Sequence, residues 1–219
     1  IYARLWDGSQ YGDIYTANIT NIDKTNIDII KFSGAGSNTI ATSATLTATV
    51  NDKNSGLSKI VYEWGTSTSY GSEKTVVYTT MNGTATGTTG EVTKTLSLTD
   101  LTYNKTYYAR ITAYDVAGNS RIATTTFTTK IAVAVTSDVY YTSAQNAINS
   151  ISTSGTVKMI ANSTEEVEVV NGKNITLDLN SKTITGRMKN YGTLKIYGGT
   201  IDASLVQYGH AIENNGTLT

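Results

Sequence analysis

The sequence predicts an all-β chain, a β-sandwich followed by a capped parallel β-helix, and three observations predict it. Between residues 45 and 113, short segments alternate apolar with small polar residues and are separated by Gly-, Asn-, Ser- and Thr-rich stretches, as half-buried strands joined by turns do. One segment, 142–151, instead has apolar residues at helical spacing. Beyond it, Asn-x-Gly-Thr-Leu occurs at 190–194 and again at 214–218, an offset of 214 − 190 = 24 residues, and a period of that size indicates a solenoid.

The bulk figures are compatible with this. At 219 residues there is room for two ordinary domains, each with its own core. Seventeen Lys and Arg balance seventeen Asp and Glu, with no basic run. The charge thus offers no footprint for nucleic acid or anionic lipid, and neither is an expected partner. No apolar stretch approaches the roughly 18 residues that span a bilayer, so no membrane segment is expected within the chain. Cysteine is absent, which excludes disulfides and thiolate-bound metal. The sequence opens on Ile1 and ends inside a repeat, so it is expected to be a piece of a longer chain whose targeting segments lie outside it.

Taken in order, segment 45–50 places Leu46, Ala48 and Val50 on one face, and 59–64 does the same for Ile60, Tyr62 and Trp64. Segment 91–98 aligns Val92, Leu96 and Leu98, and 107–113 aligns Tyr107, Ala109, Ile111 and Ala113. Stretches 51–56, 65–71 and 81–90 carry turn and loop chemistry. Strands at this spacing over about 100 residues predict a sandwich. In 142–151, Ala144, Ala147, Ile148 and Ile151 line one helical face, and Thr142 with Gln145 fits a capping box. Further strands are expected at 156–160, 166–170, 174–179, 193–197 and from 216. There Ile175, Leu177, Leu179, Leu194 and Ile196 point inward, and Thr176, Asp178, Lys195 and Tyr197 outward. The recurring Asn is expected to bond its own backbone or to stack as a ladder, and the recurring Gly to take a turn geometry other residues avoid. The helix is expected to close the first coil and cover its open strand edge.

Leu101-Thr-Tyr-Asn-Lys-Thr-Tyr107, followed by Ala-Arg-Ile and then Asp115-Val-Ala-Gly-Asn119, resembles the second half of a fibronectin type III or bacterial immunoglobulin-like module. The resemblance covers about residues 29–130. It implies a tyrosine corner at Leu101 and Tyr107, the phenol reaching back to a backbone group. Tyr2-Ala-Arg4, Asp7-Gly8 and Tyr11-Gly12 match Tyr108-Ala-Arg110, Asp115 and Gly118 in order. Residues 1–28 are accordingly expected to be the C-terminal strands of a preceding immunoglobulin-like repeat, with a closing strand over 14–22 and a connector at 23–26. The stretch 172–186 resembles the opening coils of the pectate-lyase-like β-helix superfamily as seen in bacterial surface proteins. The implied organisation is 1–28, an immunoglobulin-like β-sandwich over 29–131, and the cap and first coils of a parallel β-helix over 132–219.

What these resemblances imply about function is a modular, extracellular or cell-surface bacterial protein, part spacer and part adhesin, whose partner is an extracellular polysaccharide or a host glycan or protein. Outward tyrosines, Tyr108, Tyr114, Tyr191 and Tyr197, combine an apolar face with a polar tip and suit sugar rings. Glycan contact is expected at Asp178, Lys195, Tyr197 and Tyr191. The alternatives are a carbohydrate-active enzyme, a polysaccharide lyase or hydrolase with its active site on later coils, and a phage tail fibre or spike. Lyases of that fold project calcium-binding carboxylates and a basic residue from neighbouring coils. Asp178, Arg187, Lys195 and Asp202 are the nearest residue types, but no carboxylate pair stands out, so no catalytic residue is assigned. Calcium is the one cofactor considered, at 115–119, where a hairpin turn is expected instead. His210, the sole histidine, is expected in a surface turn.

Overall fold

The computed structural model of the chain describes residues 2–16, 23–77, 80–81, 84–85, 88–206 and 209–219. Its first strands, β1 (Tyr2–Ala3) and β2 (Tyr15–Thr16), pair antiparallel. The tip of this hairpin is closed by Asp7, whose carboxylate accepts from the Ser9 and Gln10 amides at 2.8 and 2.9 Å. Of the strand expected over 14–22, β2 is present, and residues 17–22 lie outside those described.

β3 (Asp28–Gly36) leads into β4 (Ala44–Gly65). Residues 51–56, expected as a turn, stay within β4. The Asp52 carboxylate accepts from Asn54 N at 3.2 Å and Gly56 N at 2.6 Å. These bonds fold the surplus residues into a bulge, the pairing register shifts between Asp52 and Leu57, and the strand bends without reversing. After β4 come β5 (Ser72–Val77), the short pair β6 (Thr80–Met81) and β7 (Thr84–Ala85), then β8 (Thr88–Leu98), β9 (Thr106–Asp115) and β10 (Ser120–Thr128). The loop expected over 81–90 therefore contains strand as well, while residues 82–83 and 86–87 lie outside those described.

The first half of β4 pairs with β3 and β8, and its second half with β5 and β9. One shared strand makes one curved sheet, ordered β10-β9-β4-β3 with β5 and β8 added to β4, and this half-barrel wraps a single core. Leu46, Ala48, Val50, Ile60, Tyr62, Ala109, Ile111 and Ala113 are wholly buried, as their alternation requires. Val92 and Trp64 pack partly buried at its rim.

The second unit opens with β11 (Ala134–Thr136) and β12 (Val139–Tyr141), a hairpin whose turn residues Ser137 and Asp138 both take positive φ, as a type I′ turn demands. Helix α1 (Ala144–Ser150) follows and is shorter than expected. Its N-cap is Ser143, whose hydroxyl accepts from Asn146 N at 3.0 Å. Thr142 is drawn off to the half-barrel, where its amide donates to Thr39 O and its hydroxyl to Asn38 O. Gln145 is likewise not a box partner: its amide nitrogen donates to Asn149 and its oxygen accepts from Glu168 N.

Three further contacts tie the units together. Tyr141 bridges Ile40, Ala41 N donates to Tyr140 O at 2.7 Å, and the Tyr103 and Tyr140 rings lie 5.1 Å apart.

Beyond the helix the chain winds a β-solenoid of about three turns. The first coil holds β13 (Ser154–Met159), β14 (Ser163–Thr164) and β15 (Val167–Val169), and the second β16 (Asn174–Asp178), β17 (Thr183–Thr185) and β18 (Met188–Asn190). The third holds β19 (Thr193–Tyr197), β20 (Thr200–Asp202) and β21 (Ile212–Asn214), and β22 (Thr217–Leu218) begins the next. Each strand pairs parallel with its counterpart one coil on. Register partners Ser154, Asn174, Thr193 and Thr217 stand 20, 19 and 24 residues apart, so the 24-residue spacing belongs to the third coil alone. Ile175 and Leu177 stack on Leu194 and Ile196 in the bore.

The open edge of β13 is paired by β11, antiparallel, so the hairpin shields the edge. The helix instead stops the bore with Ala144, Ala147 and Ile148. Residues of the first two coils grip both its ends: Glu165 accepts from Ala144 N and Gln145 N at 2.9 and 3.0 Å, and Lys173 Nζ donates to Ile148 O at 2.7 Å. Each charge faces the end of the helix dipole it complements.

The repeated Asn-x-Gly-Thr-Leu has a physical explanation here. Asn190 is fully buried and stacks on Asn214 in register. Its Oδ1 accepts from Gly192 N at 3.2 Å, and its Nδ2 donates to Asn214 Oδ1 at 2.7 Å and Thr217 O at 2.9 Å. The asparagine therefore both bonds its own turn and forms a ladder to the next. The glycines are required by close approach: a Cβ on Gly216 would lie 2.1 Å from Gly192 O, and one on Gly192 2.5 Å from Lys173 O.

Candidate functional site

Strand alternation gives the solenoid a flat outer face. Register places Lys158, Asp178 and Tyr197 in one column across β13, β16 and β19, with Thr156, Thr176 and Lys195 in the next. Tyr197 is 47% exposed, and the Lys195 ammonium sits 5.8 Å from its ring centre. Asp178 is occupied by its own turn, its carboxylate accepting from Asn180 N at 2.9 Å. The face thus offers one aromatic plane, two lysine cations, Lys158 and Lys195, and the hydroxyls of Thr156 and Thr176, a set that can stack on a sugar ring and bond its substituents.

Of the four residues expected to touch glycan, the structure brings Asp178, Lys195 and Tyr197 together. Tyr191 stands apart, at the corner before β19, where it lines a separate groove with Lys173, Asn174 and Thr217. Arg187 lies elsewhere again, in a cleft of about 400 Å³ with Glu165, Glu166 and Leu205. Both acids of the cleft have other duties: Glu165 holds the helix, and Glu166 pairs with Lys189 at 2.6 Å, which raises the Lys189 pKa above the ordinary lysine value. Asp202 accepts from Ser204 N at 2.8 Å and forms a turn. His210 is exposed in the segment between β20 and β21.

In the half-barrel, the Tyr107 hydroxyl accepts from Thr102 N at 2.8 Å, Leu101 is buried, and the Tyr107 ring stacks on Phe127 at 5.4 Å. Residues 115–119 form the turn between β9 and β10, closed by Asn119 N and Nδ2 donating to the Asp115 carboxylate at 2.7 and 2.8 Å.

That turn belongs to a cluster that sequence reasoning missed. Carboxylate oxygens of Asp23, Asp52 and Asp115 lie within 4.8 Å of one another, and Asp52 and Asp115 are buried. Asp23 accepts from the Thr25 hydroxyl at 2.6 Å and amide at 2.9 Å, and from the Ser55 hydroxyl at 2.8 Å. These bonds, the Thr25 hydroxyl foremost, hold its carboxyl far below the usual carboxylate range. Among the described residues none of the three forms a salt bridge. An all-oxygen set of this kind is the donor chemistry of a hard divalent cation such as calcium. The signal was present in the sequence as one Asp in each of three separate polar stretches, 23–26, 51–56 and 115–119, but nothing in their spacing says that the three converge.

Neither a protein-family model nor a curated protein matches this chain.

Proposed function

We propose that the chain is a spacer-and-adhesin segment of a modular extracellular bacterial surface protein. In this reading the half-barrel is an immunoglobulin-like sandwich of the fibronectin type. The solenoid, a β-helix of the pectate-lyase-like kind, presents its outer face to extracellular polysaccharide or host glycan. The division of β4 between β3 with β8 and β5 with β9 supports the two-layer reading of the first unit. The observation that carries the spacer role is the junction. Backbone bonds run in both directions between 39–41 and 140–142, in addition to the covalent connection, so two points of attachment oppose bending. A spacer that transmits position needs that stiffness.

Small-angle scattering of the whole chain tests the spacer half. A single elongated particle fitting one rigid arrangement is expected, and a spread of angles between the units refutes it. A glycan screen tests the adhesive half: binding is expected, weakened by Lys195→Ala and Tyr197→Ala, and its absence across microbial and host glycans discards that half.

A further inference from the structure

The half-barrel carries a groove of its own, of about 450 Å³, between Tyr70 and Tyr108, with Thr68, Thr124 and Thr126 around it. Its two rings are positioned by independent means. Tyr108 projects outward from β9, with Thr126 opposite it on β10 and Gly65 opposite it on β4, and is 38% exposed. Tyr70 ends the loop after β4 with φ +59, a left-handed conformation that bulky residues avoid. The loop can fold back only because residue 65 is glycine: a Cβ there would lie 2.0 Å from Tyr70 O. The Tyr70 ring is further fixed by the Arg110 guanidinium, 4.8 Å from its centre. Arg110 in turn donates two 2.6 Å hydrogen bonds to the two carboxylate oxygens of Glu63. Backbone strain, a close approach and a bidentate ion pair thus converge on holding one phenol across an open groove from another.

The charge balance selects the ligand class. Arg110 is neutralised by Glu63 and its planar face is taken by Tyr70, so the groove offers no free cation to a uronate or a phosphate. What remains is two tyrosine rings and the hydroxyls of the threonines around them, Thr68, Thr124 and Thr126 among them. A pyranose fits that set, its C–H face against a phenol and its hydroxyls toward the threonines. We propose that this groove binds a neutral pyranose unit of a polysaccharide. The proposal rests on the glycan-binding reading above, but it puts the contact on the half-barrel, remote in sequence from the solenoid face.

The test titrates the full chain with cellohexaose, mannohexaose, xylohexaose and hexagalacturonate, followed by amide resonances. At least one neutral sugar is expected to shift residues 68–71, 108 and 124–126. Tyr108→Ala should weaken that binding about three- to tenfold, as loss of one stacking face implies. Thr126→Val, which keeps shape and removes a hydroxyl, should weaken it as well. Shifts confined to residues 176–197 and lost in Tyr197→Ala overturn the groove while glycan binding stands. A preference for hexagalacturonate over every neutral sugar overturns the charge argument. No shift with any of the four sugars removes the groove, and the separate glycan screen decides the wider reading.

Discussion

Replacing Asn190 tests whether the solenoid is held by its asparagine ladder or by its apolar bore alone. The side chain is fully buried and makes three hydrogen bonds, to Gly192 N, Asn214 Oδ1 and Thr217 O. At about 1 kcal/mol each, discounted because Asn214 and Thr217 are exposed and can turn to water, Asn190→Ala should cost about 2 kcal/mol. Asn190→Asp separates the two functions of the amide. It keeps an acceptor for Gly192 N, but it loses the donor and sets a buried charge against two oxygens. Burial raises the new carboxyl above its unfolded value of about 4. The variant is therefore most stable in acid, where the neutral acid can still donate, and loses stability as pH rises from about 4 through the raised value. Urea denaturation from pH 3 to 8, with hydrogen exchange reporting on residues 188–218, measures both. A cost for Asn190→Ala below about 0.5 kcal/mol, the scatter of a surface change, or a pH-independent Asn190→Asp, refutes the ladder as a stabilising element.

Other consequences follow from the same geometry. Glu165→Gln keeps one acceptor but removes the charge at the helix start, and should cost about 1 kcal/mol, read as faster exchange of the Ala144 and Gln145 amides; unchanged exchange would mean that Ser143 suffices. Tyr107→Phe leaves Thr102 N without its partner and should destabilise the half-barrel by about 1 to 2 kcal/mol, measured by denaturant unfolding followed by Trp64. Gly216→Ala forces a methyl against Gly192 O, so amides of the last turn should lose protection while those of the half-barrel keep theirs. The Asp23 carboxyl is held below its ordinary value of 3.8 by Thr25 and Ser55. The attachment it makes is therefore complete above about pH 4 and lost as pH falls through the lower folded value. Exchange at Ser55 should rise below pH 3, and should be fast at every pH in Asp23→Asn.

The long alternating segments were legible because each buries a whole face. Leu46, Ala48 and Val50, or Ile175 and Leu177, admit no other register without exposing several apolar residues at once. Of the strands of two or three residues at the other solenoid walls, only β15 falls in an expected segment, 166–170; β14, β17 and β20 are too short to show a period and are held by their neighbours in the stack. Turn chemistry misled at 51–56, where Asp52 spends its carboxylate inside a continuing strand. The helix cap misled by one residue, because Thr142 answers to Asn38 and Thr39, about 100 positions upstream. The candidate face was read from alternation in β16 and β19. Tyr191 was placed with it only because a linear sequence does not show a corner. The pairing of Tyr70 with Tyr108 and the meeting of Asp23 with Asp52 and Asp115 depend on how turns fold back, which no local pattern records.

One corner of the third coil departs from the others. Two residues, 165–166 and 186–187, join the second and third walls of the first two coils, whereas nine, 203–211, do so in the third, yet β20 and β21 keep their parallel partners. The winding is therefore indifferent to what passes through that corner. A stack of this kind can take insertions there, and so diversify the surface it shows the outside world, while the pitch of the stack stays the same.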